Sequence, residues 1–177
     1  MKRLALLLSL LVPGLANAQT EFVKATTDIL CLVPSAGAAV LTLVNKDEEG
    51  FRQFVLSTAV ATCASYAMEA VITKPRPDGD GNHAMPSTHT MIAFNGASYL
   101  QQRYGWKWGV PAYAISTYVA WGRVYGQRHD VWDVLAGAAL GAGCAFIFTR
   151  PFAKGKEITV SPAVMDGAKG ISLAMRF

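Results

Sequence analysis

Two short polar stretches in an otherwise apolar chain hold almost every side chain able to do chemistry. The first, "KPRPDGDGNHAMPSTH", carries Lys74, Arg76, His83, Ser87, Thr88 and His89. The second, "GRVYGQRHDVWD", carries Arg123, Arg128, His129, Asp130 and Asp133. Arg76 and Arg123 present planar forks that match phosphate oxygens. Ser87 stands immediately before an apolar segment, where an N-cap would stand. The start of a helix offers free N–H groups and the positive end of its dipole. The combination points to an anion, phosphate first. His129 and Asp133 are four residues apart, which puts them on one face of a helix. Asp133 can then fix the tautomer of His129 and support charge on its ring, while His89 supplies a second imidazole as general acid. His89, His129 and Asp133 could also ligate zinc or iron. Lys74, Arg76, Arg123 and Arg128 argue against that, because they repel a metal ion and attract an oxyanion. The reading is therefore of a site with no metal and no cofactor.

These two stretches need elements that bring them together. Five apolar segments rich in Ala, Gly, Leu and Val cover about 28–45, 51–73, 88–102, 108–122 and 131–149. None alternates with period two, so each reads as a helix. The expected fold is all-α: a compact bundle of five to six mostly membrane-embedded helices. Small residues, as in "AGAALGAGCAF", permit close helix–helix packing. Hydrophobic residues make up 52% and charged residues 16% of the 177, a composition that suits a small membrane protein more than a soluble domain. No basic run resembles a nucleic-acid footprint, so no nucleic-acid partner is expected. Cys31, Cys63 and Cys144 lack metal-type spacing and read as small buried hydrophobes.

The ends differ from the middle. Lys2 and Arg3, the apolar run 4–15 and the small residues Ala16 and Ala18 form a signal-peptide pattern with a cut before Gln19. An uncleaved first helix is the alternative. Residues 1–18 are thus a targeting segment, 19–153 the helical bundle and 154–177 a tail. The tail has two short apolar stretches around "DGAKG", a pattern for a small β-hairpin. Lys46, Arg52, Arg103, Lys107, Arg150, Lys154 and Lys156 fall in the loops on the side opposite the two polar stretches. A Lys/Arg excess marks the cytoplasmic face. The expected location is a bacterial inner membrane with the active site facing the periplasm; a soluble periplasmic protein is the alternative.

Arg76–Pro77, the run Pro86–Ser87–Thr88–His89, and Arg123, His129 and Asp133 in their spacing resemble the type 2 phosphatidic acid phosphatase superfamily. That family includes lipid phosphatases, class A acid phosphatases and vanadium haloperoxidases. The resemblance spans about residues 50–150. It implies that His129 attacks phosphorus to form a phosphohistidine, that Asp133 orients it, and that His89 protonates the leaving oxygen. Arg76, Arg123, Ser87 and Thr88 would hold the phosphoryl group. Three positions depart from the family pattern: Glu69 stands where the family has Lys, Thr88 where it has Gly, and Gly122 where it has Ser. Lys74 is then expected to supply the missing cation at the phosphate. The function implied is metal-independent hydrolysis of a lipid phosphate or diphosphate of the undecaprenyl diphosphate, phosphatidylglycerophosphate or lipid A type. A soluble phosphatase for small phosphomonoesters and a catalytically degenerate lipid-binding protein are the alternatives.

Overall fold

The computed structural model describes residues 18–79 and 81–152, and the backbone of two strands beyond them. The expected targeting segment, apart from Ala18, lies outside the described residues. Among the described residues the chain forms six helical segments and one hairpin. The helices are α1 (18–30), α2 (Val33–Val44), α3 (Glu48–Val71), α4 (Thr88–Tyr104), α5 (Trp106–Tyr125) and α6 (Val131–Phe148). The strands β1 (Ile158–Met165) and β2 (Ala168–Met175) pair antiparallel, from Ile158 opposite Met175 to Met165 opposite Ala168.

Local chemistry sets the helix ends. Asp47 caps α3 by accepting from the Gly50 N–H at 2.9 Å, and Glu48 and Glu49 follow in its first turn, where the dipole favours negative charge. Asp130 and Asp133 form a reciprocal capping box at the start of α6. A single residue, Gly105, separates α4 from α5, with φ at 88°. That left-handed conformation suits glycine.

α4 is the central helix. Asn95 on it is fully buried and donates to Ser57 Oγ at 2.7 Å and to the Gly141 carbonyl at 3.1 Å, while Thr58 Oγ1 donates to it at 3.0 Å. One amide thus joins α3, α4 and α6, with both its oxygen and its nitrogen partnered inside an apolar core. Ser116 of α5 and Ser35 of α2 donate to carbonyls of α4, those of Ala93 at 2.9 Å and Ile92 at 3.1 Å. α6 crosses α4 through Gly137 and Gly141, which face the backbone at Ser87 and Met91. A buried pair ties the opposite end together: Arg103 donates to both carboxylate oxygens of Asp47, at 2.7 and 2.5 Å, and to the Arg150 carbonyl at 2.8 Å.

The outer surface is apolar. Ala18–Val44 (α1, a turn at 31–32 and α2), Glu48–Val71 and Val131–Phe148 are long and apolar enough to cross a membrane. Val44, Val71 and Ile147 point outward, each more than 70% exposed. The chain is a membrane protein. Cys31 and Cys144 are buried as expected, but Cys63 is exposed on α3. The N-terminal helix starts at least ten residues earlier than the apolar pattern suggested. Lys24, Thr26 and Thr27 break that pattern, yet both threonine hydroxyls bond back to α1 carbonyls, those of Val23 and Lys24, at 3.0 Å.

The α4–α6 contact is testable. A Cβ at Gly141 would collide with the Met91 carbonyl, whereas one at Gly143 would have nothing within 4 Å. Gly141→Ala is expected to cost about 1–3 kcal/mol of stability through overpacking. Gly143→Ala should stay within about 0.5 kcal/mol of the parent. Thermal unfolding in detergent compares the two.

Candidate active site

The bundle brings the two polar stretches together at one end. The Ser87 N–H donates to the Asp133 carbonyl at 2.9 Å, so the first turns of α4 and α6 touch. The loop after α5 folds back on itself: the N–H groups of Arg128 and His129 both donate to the Arg123 carbonyl, at 3.0 and 3.2 Å. The loop between α3 and α4 is held by Lys74 N–H to the Asn82 carbonyl (2.9 Å) and Ala84 N–H to the Lys74 carbonyl (3.1 Å). Arg128 reaches across to Asp78 at 3.3 Å and joins the two loops.

His129 is buried, and its Nδ1 bonds the Ala84 carbonyl at 2.8 Å. A carbonyl only accepts, so Nδ1 carries the proton and Nε2 keeps its lone pair. Asp133, read as the orienting group, lies on the same side of the ring with Oδ2 at 3.7 Å from Nδ1, beyond a hydrogen bond. The orientation therefore comes from a backbone atom, and Asp133 contributes charge. Burial pushes the His129 pKa down to about 4; the Ala84 bond and Asp133 oppose this, and Arg123 and Arg76 add to it. At neutral pH the ring is neutral and held in one tautomer.

Asp133 is fully buried and saturated. Its Oδ2 accepts from the Asp130 N–H at 3.0 Å, and its Oδ1 accepts from Lys74 Nζ at 2.6 Å. Lys74 also donates to Asp130 Oδ2 at 2.6 Å. The sequence reading gave Lys74 to the phosphate. In the structure its ammonium bridges the two carboxylates that begin α6. Burial works against that charge, but the two carboxylates outweigh it and raise the Lys74 pKa.

Arg76 and Arg123 lie close enough to act electrostatically on both His89 and His129. The Nε of each is buried without a hydrogen-bond partner. Buried N–H donors are seldom left unpaired, because each costs about 1–3 kcal/mol, so two on one site are positioned for an acceptor. Ser87 occupies the N-cap position of α4, but its hydroxyl does not cap; it accepts from Thr90 Oγ1 at 3.1 Å. Thr88 donates to Glu69 Oε1 at 2.7 Å. His83 turns away from the arginines to the Glu69 carbonyl, 2.9 Å from its Nδ1.

One member of the site escaped sequence reasoning. Asp28 on α1 reaches Arg123 Nη1 at 2.5 Å and His89 Nε2 at 3.2 Å. It stands 95 residues from Arg123 in sequence, at the very start of the apolar segment 28–45 that read as the first helix of the bundle. A carboxylate within an apolar stretch was the available signal.

A family model for the PAP2 superfamily matches residues 50–156, more than half of the chain. The chain belongs to the PAP2 superfamily. Lipid A 4'-phosphatase of Helicobacter pylori is 26% identical over 156 residues, covering 82% of this chain and 78% of that protein. Lipid A 1-phosphatase of the same organism is 26% identical over 131 residues, covering 67% and 66%. The crystal structure of Aquifex aeolicus LpxE superposes with a TM-score of 0.59 at 19% identity, covering 71% of this chain and 84% of that one; it shares the fold. As a member of this superfamily, the chain is a phosphoric ester hydrolase.

Two outcomes follow from the Lys74 bridge. The His129 ring should titrate near pH 4 by NMR of labelled imidazole, well below the ordinary value of 6.5. Lys74→Met would leave Asp133 unneutralised beside His129. It should raise that pKa by about one unit and cut kcat by about 10–100-fold, or 1.4–2.8 kcal/mol. KM should move little, because Lys74 meets carboxylates, with partial recovery in Lys74→Arg.

Proposed function

We propose that this protein removes a phosphate from a lipid phosphomonoester of the lipid A type, through a phosphohistidine on His129, without a metal. One observation carries the reading. A buried imidazole with its Nδ1 proton committed to the Ala84 carbonyl leaves Nε2 bare, beside two guanidinium groups whose buried Nε–H donors have no partner. That is a nucleophile next to donors suited to phosphoryl oxygens. Among the described residues no group of three or more His, Cys, Asp and Glu is arranged to hold a metal. The cations supply the electrostatic stabilisation that phosphoryl transfer requires.

In the first step the Nε2 lone pair of His129 bonds phosphorus. The bond from phosphorus to the lipid oxygen breaks, and that oxygen takes a proton from His89. The growing positive charge on His129 is balanced by Asp133. In the second step water attacks the phosphohistidine and gives a proton to His89. The P–N bond breaks, its electron pair returns to His129, and phosphate leaves. Arg76, Arg123 and the first turn of α4 from Thr88 onward contact the phosphoryl oxygens throughout, while the Ser87 N–H stays on the Asp133 carbonyl. Lys74 acts one layer out, on Asp133.

The lipid substrate is supported by the relatives, which are lipid A 1- and 4'-phosphatases, and by the setting of the site. Trp121, Tyr125 and Trp132 are 50, 44 and 71% exposed near the site end of α5 and α6, and such rings favour the headgroup level of a bilayer. The loops at the opposite end contain Lys46, Lys107 and Arg150. Those three are exposed, whereas Lys74, Arg76, Arg123 and Arg128 at the site end are half-buried or buried within the site. Exposed cations suit a cytoplasmic face, which supports a periplasmic orientation for the site.

Phosphate release in detergent from lipid A, phosphatidylglycerophosphate and undecaprenyl diphosphate tests the reading, with lipid A expected to turn over fastest. His129→Ala should abolish release, and rapid acid-free quenching of the wild type should trap an acid-labile phosphoryl group on the protein. Vanadate should inhibit, since it mimics the five-coordinate phosphoryl group, and EDTA should not. Loss of activity with EDTA that zinc or magnesium restores would overturn the metal-free mechanism. An active His129→Ala variant would overturn the nucleophile.

A further inference from the structure

The geometry points to Asp28 as the positioning residue that supports a proton on the far nitrogen of His89 and leaves its Nδ1 for the leaving oxygen. This rests on the phosphatase reading above. Asp28 Oδ1 lies 3.2 Å from His89 Nε2 and 2.5 Å from Arg123 Nη1. The contact is an ion pair, and a carboxylate beside Nε2 favours a proton on that nitrogen, which leaves Nδ1 for the substrate. An imidazole oriented by a carboxylate on its far side recurs wherever a histidine must move protons in a fixed direction.

The surrounding charges explain why such a group is needed. His89 is faced by Arg123 from α5, by Arg76 from the α3–α4 loop and by Arg128 from the loop after α5. Burial and these three guanidinium groups all disfavour the imidazolium; Asp28, from α1, favours it. A neutral ring has no proton on Nδ1 once Nε2 holds one, and so cannot act as the acid. The arginines of the site thus oppose the proton donor beside them, and Asp28 offsets part of their effect, the His89 pKa still lying below its ordinary value. The proton inventory closes. The imidazolium gives its Nδ1 proton to the departing lipid oxygen as the P–O bond breaks, and keeps Nε2–H on Asp28. The bare Nδ1 then takes a proton from the attacking water, which restores the imidazolium.

Asp28 is held in place by close packing. α1 lies against α5 where glycines remove the obstruction: a Cβ at Gly122 would collide with Thr27 Cγ2, and one at Gly126 would stand 2.9 Å from Lys24 Cγ. Thr26 Oγ1 and Tyr118 OH are 3.0 Å apart across the same contact. Gly122 stands where the family pattern has Ser. A side chain there would push α1, and Asp28 with it, away from the arginines. This departure from the pattern and the presence of Asp28 in the site are one feature.

The test is the pH profile of kcat/KM on lipid A in detergent for wild type, Asp28→Asn, Asp28→Glu and Gly122→Ser. In Asp28→Asn the basic limb should move down by about one pH unit, a tenfold loss just above the wild-type limb with little change on the acid side. KM should not rise, because Arg123 Nη1 is released to the phosphate. Asp28→Glu should recover part of the shift, and Gly122→Ser should reproduce the shift with Asp28 intact. An unchanged limb in Asp28→Asn, or an equal loss at every pH, would overturn the assignment while wild-type turnover leaves the phosphatase reading standing. A wild type that releases no phosphate from lipid A would end both.

Discussion

Two helix N-termini must stand side by side at one end of a bundle whose outer surface is apolar, and everything the site does depends on that contact. α4 and α6 can approach so closely because Gly137 and Gly141 present no side chain to the backbone of α4. Asn95 spends its amide on the same seam. The Ser87 N–H then meets the Asp133 carbonyl, which fixes the first turn of α4 against the first turn of α6. His89 and Asp133 are set in space by backbone packing before any side chain of the site makes a contact of its own.

Charge balance is the second constraint. Three guanidinium groups and one ammonium gather around two imidazoles. Each cation that helps bind phosphate also discourages protonation of a nearby ring. Both rings lie below the ordinary imidazole value. At His129 burial is the largest cause, Arg123 and Arg76 add to it, and Asp133, partly neutralised by Lys74, does not reverse it. At His89 burial and the arginines act in the same direction, and Asp28 opposes them from α1. Each ring is thus paired with its own carboxylate against one shared set of cations.

Much of this was legible in the sequence for a physical reason. The spacing of Arg123, His129 and Asp133 marks the site, although His129 lies in the loop before the Asp130 N-cap and not on a face of α6 as its spacing from Asp133 suggested. Apolar segments bounded by Gly, Pro and charge mark the helices. Three features were not legible. The Ala84 carbonyl that orients His129 is a backbone atom, common to every residue, and carries no signature. Lys74 reads as a cation near a phosphate site. Its carboxylate partners lie 56 and 59 residues away, and only the α6 N-terminus brings them near. Asp28 belongs to a helix whose polar residues are hidden by packing on α5, so the pattern that should announce the helix is interrupted where it matters.

The remaining departures from the family pattern also meet in space. Glu69 replaces a lysine and Thr88 replaces a glycine; in the structure Thr88 Oγ1 donates to Glu69 Oε1 at 2.7 Å. A carboxylate free at a phosphate site would repel the substrate. Bound to the Thr88 hydroxyl on the flank of α4, it is held on that helix, while its backbone carbonyl engages His83 and helps shape the α3–α4 loop. A glycine at position 88 would leave Glu69 without that donor, and a lysine at 69 could not accept from a threonine. The two changes are therefore explained together or not at all. With Lys74 drawn to Asp130 and Asp133, the phosphoryl group meets two arginines and the start of a helix. Lys74 therefore does not stand in for the lysine of the family pattern among the arginines; its charge lies at the start of α6, where it holds Asp133 beside His129.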